Sequence, residues 1–333
     1  MSNFLVTGGA GFIGSHFVLK IFNLGHKAIV LDKLTYAANL ENLKSLQENQ
    51  NFKFIKGDII DHDLVTKILY EDEIDFIVNF AAESHVDNSI KAPENFIQTN
   101  IVGTFNLLNC ALNYWQKLSV EKKSRFRFLH VSTDEVFGSL ALNDKKFNEE
   151  TPYKPNSPYS ASKAASDHLV RAWFETYNLP TITTNCSNNF GPHQHHEKFI
   201  PTIISSAILN KKIPIYGNGK NIRDWIFVKD HVDGIFMALS QGFAGQTYCF
   251  GGECEKENLQ LAKEICQILD QVKPRLDGIS YQNQISFVTD RLGHDKRYAI
   301  SNDKVRHEFN FKPSKNFNQR LKETILWYLE QNQ

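Results

Sequence analysis

Short apolar runs alternate with longer amphipathic stretches through the first half of the chain. The runs Phe4–Thr7, Ala28–Leu31, Phe52–Lys56, Phe76–Phe80, Phe126–Val131 and Thr181–Asn185 predict strands. Between most of them lie stretches long enough for helices, among them Ile13–Leu24 and Leu64–Tyr70. Pro93–Tyr114 and Pro158–Tyr177 predict two long helices, each with a proline at its start, where a missing N–H costs little. Strand–helix alternation of this kind predicts an α/β fold around a parallel, doubly wound sheet. After about residue 185 the rhythm breaks. The polar segment Cys186–Glu197 carries a Gly-Pro pair, and helical and short strand patterns mix from there to Gln333. The expected organisation is a sheet-bearing domain over 1–185 and a smaller mixed α/β C-terminal lobe over 186–333. The chain is expected to return to the sheet around 223–240, where Arg223–Val228 forms another apolar run.

Composition narrows the class without choosing a chemistry. The 333 residues are 41% hydrophobic and 22% charged, as in an ordinary globular protein. A formal net charge of zero lacks the basic excess of a nucleic-acid binder. No apolar run approaches the ~20 residues that span a bilayer. The first strand pattern begins at Asn3, so no signal peptide is expected. Cysteines stand at 110, 186, 249, 254 and 266, an odd count with no Cys-x-x-Cys, which predicts a reduced, cytoplasmic chain.

Candidate chemistry begins with Thr7-Gly-Gly-Ala-Gly-Phe-Ile-Gly14, between the first strand and the first helix. Gly8, Gly11 and Gly14 are spaced for a tight turn that lets a pyrophosphate approach backbone N–H groups at a helix N-terminus. That context, which a merely structural turn would not require, predicts a Rossmann-type dinucleotide site. Asp32 ends the second strand, where an acid binds the adenosine ribose and selects NAD over NADP; the bland alternative is an acid capping a loop. Asp58 in Gly57-Asp-Ile59 can reach the adenine, and Ala81-Ala82 are small enough to let the cofactor lie against the chain.

Tyr159 and Lys163 stand four apart at the start of a helical pattern, on one face. A nearby ammonium is expected to lower the phenol's pKa and make Tyr159 a general base. Ser132-Thr-Asp-Glu135 closes the preceding strand, at the carboxyl edge where open α/β sheets bind ligands. There Thr133 can hold a substrate oxygen, and the paired carboxylates Asp134 and Glu135 suit proton donation and abstraction.

Together these motifs resemble the nucleotide-sugar 4,6-dehydratases of the extended short-chain dehydrogenase/reductase type. The resemblance runs along nearly the whole chain. It also rests on Ala81-Ala-Glu-Ser-His-Val-Asp87, Asn188-Asn-Phe-Gly-Pro-His-Gln194, Gly217-Asn-Gly-Lys-Asn-Ile-Arg-Asp-Trp225 and Asp290-Arg-Leu-Gly-His-Asp295. It implies an NAD-dependent hydro-lyase acting on an NDP-glucose, the dTDP form foremost. Tyr159 and Lys163 would serve C4 oxidation, Glu135 would take the C5 proton and Asp134 would protonate the departing C6 hydroxyl. Phe12, Ile13, Lys33, Thr35, Ile59, Ser84, Thr99 and Asn189 would complete the cofactor site. Ser84, His85, Thr133, Asn188, Lys198, Arg223, Asn258, Asp290, Arg291 and His294 would hold the nucleotide sugar. The two long helices would form a four-helix interface in a homodimer.

Three positions depart from the family pattern: Asn88 for arginine, Phe137 for tyrosine and Leu292 for proline. His193, His195 and His196 cluster without a complete ligand set, so no metal is expected. A nucleotide-sugar 4-epimerase would share the cofactor and Tyr159, but would not need Asp134-Glu135. A non-catalytic NAD-sensing regulator would need neither pair.

Overall fold

The computed structural model describes residues 1–331. Twelve strands follow in chain order: β1 (Asn3–Thr7), β2 (Lys27–Asp32), β3 (Phe52–Lys56), β4 (Phe76–Asn79), β5 (Arg127–Val131), β6 (Thr181–Cys186), β7 (Asn188–Phe190), β8 (Ile213–Tyr216), β9 (Ile222–Phe227), β10 (Thr247–Phe250), β11 (Glu255–Glu257) and β12 (Ile285–Val288). Seven of them form one sheet in the order β10-β6-β5-β4-β1-β2-β3, with every neighbouring pair parallel. This is the expected doubly wound sheet.

The alternation of side chains explains why both faces are covered. On β1, Phe4 and Val6 join Phe17, Val18 and Ile21 of the helix Phe12–Asn23. Leu5 points the other way, into a core shared with the helices His62–Glu71, Thr104–Lys117 and Pro158–Tyr177. A third core, containing Ile203, Ile215, Trp225, Ile265 and Ile325, lies in the C-terminal lobe.

Two expectations need correction. The apolar run near 223–228 does not rejoin the main sheet: β9 pairs with β7 and β11 in a separate three-stranded sheet. The helix Val228–Gln241 carries the chain back, with Val232, Ile235 and Ala238 in the core beneath β1, and β10 then extends the sheet beside β6. The helix expected over 93–114 is broken into an α-turn Pro93–Phe96, a π-helical segment Ile97–Gly103 and an α-helix Thr104–Lys117. The wider turn accompanies Asn100, whose side chain accepts from Glu83 N at 2.8 Å and donates to Glu83 O at 3.1 Å and to Ser162 Oγ at 2.8 Å.

Candidate active site

A cavity of about 310 Å³ opens along the carboxyl edge of the sheet, where β1 and β4 diverge in connection. Its floor is the glycine turn. Gly8 has φ +68°, and a Cβ there would lie 2.7 Å from Ala81 N. A Cβ on Gly14 would lie 2.3 Å from Gly8 O. The helix that starts at Phe12 has no side-chain cap at Gly11, and Gly11, Phe12 and Ile13 line the cavity. This cradle would be filled by any added side chain, and it fits an anionic pyrophosphate facing free N–H groups.

Asp32 is buried beside the turn. Its Oδ2 accepts from Ala10 N at 3.0 Å and its Oδ1 from Leu34 N at 2.8 Å. Burial pushes this carboxyl up, and the two N–H donors act against that. Lys33 pairs with Asp58 at 2.6 Å, and both line the cavity with Thr35 and Ile59. Ala81, Ala82, Ser84, Asn188, Asn189 and Lys198 add to the lining. Lys198 Nζ is tied to Ser84 O at 2.7 Å.

The helix Pro158–Tyr177 is fixed at its start by a capping box between Ser157 and Ser160. This places Tyr159 and Lys163 in the same cavity as Thr133, Asp134 and Glu135. Thr133 caps the 3-10 turn Asp134–Phe137 through a bond from Glu135 N at 3.3 Å. The two carboxyls are both pushed up by burial, but their surroundings differ. Asp134 is raised well above the ordinary range, reinforced by Glu135 and Asp224, and its Oδ2 has no hydrogen-bond partner. Glu135 is raised against the opposing charges of Arg223, Lys198 and Arg291. Such a pair separates into a proton donor and a proton acceptor.

One electrostatic expectation is reversed. Burial, then the Glu135 charge, push the Tyr159 phenol up, while a hydrogen bond with Thr133 works the other way. Lys163 is not among the foremost influences on the phenol, and its Nζ turns toward β5, 2.9 Å from Val131 O and 3.2 Å from His130 Nε2.

Several expected residues lie outside the cavity lining. Thr99 sits in an adjoining hollow with Lys33, Thr35 and Glu83, because the π-helical turn carries it there. His85 caps the short helix Val86–Lys91 and lies 4.0 Å from Glu197. Arg223 stacks on Tyr298, 4.3 Å from the ring centre, and donates to Asp295 O at 3.0 Å. Arg291 pairs with Asp87 at 2.6 Å, and His294 with Asp290 at 2.7 Å. Asn258 opens the helix Asn258–Val272, its N–H bonded to Asn221 O at 3.0 Å. His193 stacks on Trp327, whereas His195 packs against His196 and faces Glu197 at 3.7 Å. Among the departures, Phe137 stacks on Phe147 with centroids 5.1 Å apart, and Leu292 is exposed. Cys186, Ser187, Gln194 and His195 also line the cavity. Cys186 ends β6 and Ser187 follows it, at a strand edge of the kind that bears ligands, whereas Gln194 and His195 lie beyond β7.

A glycine cradle beside a Tyr–Lys pair and an acid pair defines a dinucleotide-type site equipped for proton transfer. A family model described as GDP-mannose 4,6 dehydratase matches residues 5–324, and the chain belongs to that family of nucleotide-sugar dehydratases. Within it, the chain is 53% identical to a dTDP-glucose 4,6-dehydratase of Xanthomonas campestris pv. campestris, over 99% of this chain and 93% of that protein. It is similar to the dTDP-glucose 4,6-dehydratase of Bacillus anthracis solved in complex with NAD: 42% identity, TM-score 0.87, 99% and 97% of the two chains. The corresponding enzyme of Streptomyces venezuelae, with NAD and dTDP bound, is 40% identical with TM-score 0.89, over 98% and 97%.

Proposed function

We propose that this chain is an NAD-dependent dTDP-glucose 4,6-dehydratase, forming dTDP-4-keto-6-deoxyglucose and water. The observation that carries the reading is the split environment of Asp134 and Glu135 beside Tyr159 in one cavity. Hydride leaves C4 and is later returned to C6, which is the chemistry that bound NAD supplies. Tyr159, ionised to the phenolate for this step, takes the proton of the C4 hydroxyl, with Thr133 holding the same substrate oxygen in line. The resulting C4 ketone acidifies the C5 hydrogen, and the Glu135 carboxylate takes it and gives a proton back to C5 when C6 is reduced. Asp134, kept protonated by burial and by its anionic neighbours, gives its proton to the C6 hydroxyl, and water leaves. Asp32 and the cradle of Gly8, Gly11 and Gly14 hold the dinucleotide, while Lys198, Arg223 and Arg291 supply positive charge around the sugar nucleotide.

The cofactor part would comprise residues 1–185 with the returning helix Val228–Gln241 and β10, and the remainder would form the substrate lobe. A homodimer is supported by an aromatic face on the two long helices: Phe105 and Tyr177 are exposed, and Trp173 lies edge-on to both at 5.7 and 5.5 Å. Work in the cytoplasm agrees with five free cysteines. The decisive experiment is mass spectrometry of the product from C4-deuterated dTDP-glucose. A product lighter by one water, with the deuterium at C6, is expected. Unchanged mass with inverted C4 would replace this reading with a 4-epimerase, and no turnover at all would favour a sensor.

A further inference from the structure

Beneath Lys163 lies a buried polar cluster that the proposed chemistry does not use. His130, on β5, and Asp167, one helical turn beyond Lys163, are both enclosed. His130 Nε2 lies 3.2 Å from Lys163 Nζ and 3.4 Å from Asp167 Oδ1, an oxygen with no hydrogen bond of its own. His130 Nδ1 faces Asn79 Nδ2 at 3.1 Å, and Asn79 Oδ1 accepts the Thr7 hydroxyl at 2.6 Å. Nε2 thus stands between the Lys163 amine and the Asp167 carboxylate. Burial holds the imidazole down to about 4, so it is neutral near pH 7.

The second oxygen of Asp167 is a hub. Oδ2 accepts from Ser132 Oγ at 2.8 Å, Tyr153 OH at 3.0 Å and Asn185 Nδ2 at 3.3 Å. Asn185 Nδ2 also donates to Thr133 O at 2.9 Å. One carboxylate therefore touches both the loop that carries Thr133, Asp134 and Glu135 and the imidazole against Lys163. We propose that Asp167, held by His130, is a positioning residue that acts as the counter-ion of Lys163 and fixes the charge of the Tyr159–Lys163 pair from behind the sheet edge. This inference rests on the reading of Lys163 as part of the oxidation site.

The other groups around Lys163 do not substitute for it. From β6, Cys186 is held as a thiol by burial. The π-helical segment against the helix contributes Asn100 and no ionisable side chain. The neighbouring short helices carry Asp87, Lys91 and Glu94, and the 3-10 turn carries Asp134 and Glu135 on the Tyr159 side. Burial lowers Lys163 to about 8, and Asp167 is the foremost charge that opposes this. A counter-ion so placed keeps the amine protonated through the neutral range, and its loss drops the midpoint.

The test is a titration of the Lys163 side chain by NMR on protein labelled at lysine Cε, with Lys163→Arg identifying the resonance. The wild-type midpoint is expected near 8. Asp167→Asn should lower it by about 1 pH unit or more, because the opposing carboxylate is gone. Asp167→Glu, which keeps the charge, should restore it, and Tyr153→Phe, which removes only a donor to Oδ2, should leave it in place. Should Asp167→Asn fail to fold, His130→Gln carries the test, since releasing the carboxylate moves the midpoint in the same direction. A midpoint unmoved in whichever of these two variants folds overturns the proposal. With dTDP-glucose, the alkaline limb of the kcat profile should shift to lower pH in the same variants. The titration needs no substrate, so a failure of the functional reading would remove only the kinetic arm and leave the titration result standing.

Discussion

Replacing Glu135 by glutamine isolates the elimination step. The amide keeps the shape of the side chain and its place beside Arg223, Lys198 and Arg291, but it cannot take the C5 proton. Loss of a general base costs about 10²–10⁴-fold in turnover, or about 2.7–5.4 kcal/mol in the barrier at 1.36 kcal/mol per tenfold. The structure adds a second effect of opposite sign on the preceding step. The Glu135 charge raises Tyr159 and is the foremost neighbouring charge on both Tyr159 and Asp134. Removing it makes the phenol a readier acceptor, so C4 oxidation should survive while elimination stalls. Chemical quench followed by mass spectrometry would show this directly. A nucleotide sugar lighter by two hydrogens should accumulate, and the species lighter by one water should form slowly. Near-normal turnover would remove Glu135 from the chemistry. Failure to form either species, in a folded protein that still binds NAD, would move Glu135 into the oxidation step instead.

Other perturbations address separate parts of the structure. Tyr159→Phe should lower turnover by about 10²–10⁴-fold while NAD affinity, measured by calorimetry, stays the same; near-normal activity contradicts the assigned role. Gly14→Ala places a Cβ 2.3 Å from Gly8 O and 2.9 Å from Gly9 Cα, both backbone atoms that cannot rotate away. It should destabilise the fold by about 1–3 kcal/mol and weaken dinucleotide binding, and an unchanged melting temperature with unchanged affinity speaks against the cradle. Phe105→Asp puts a charge on the aromatic face of the long helices and should convert a dimer to a monomer by light scattering, whereas a wild type of monomer mass at micromolar concentration rejects the interface.

The parts of the fold legible in the sequence were those with local causes. Six strand runs and the glycine turn declare themselves because buried parallel strands are continuously apolar and because Gly8 must take φ +68°. The spacing of Tyr159 and Lys163 likewise put both residues on one helix face and in one cavity. What the pattern could not reveal was partner choice. The segment at 222–227 is apolar enough for any sheet, and only tertiary pairing sends it to β7 and β11. The π-helical turn at 97–103 is too short to disturb the apolar pattern on either side, so the place of Thr99 in the adjoining hollow left no trace in the spacing. Asp134 and Glu135 were readable as an acid pair, but the unequal fields on them come from Arg223, Lys198, Arg291 and Asp224, brought in from distant parts of the chain. The direction taken by the Lys163 amine depends on His130 and Val131, over 30 positions away.

The closeness of Tyr159 to Glu135 has a temporal consequence. Each negative charge makes the other harder to form, so the enclosed site tolerates one anion in preference to two. At rest that anion is Glu135, because its carboxyl is raised from a far lower range than the phenol and has Arg223, Lys198 and Arg291 acting in its favour. The base for the second step therefore stands ready before the first, and its charge is the obstacle that ionisation of Tyr159 must overcome. The readiness of one base and the lateness of the other would then be set by repulsion between two side chains, with no moving part.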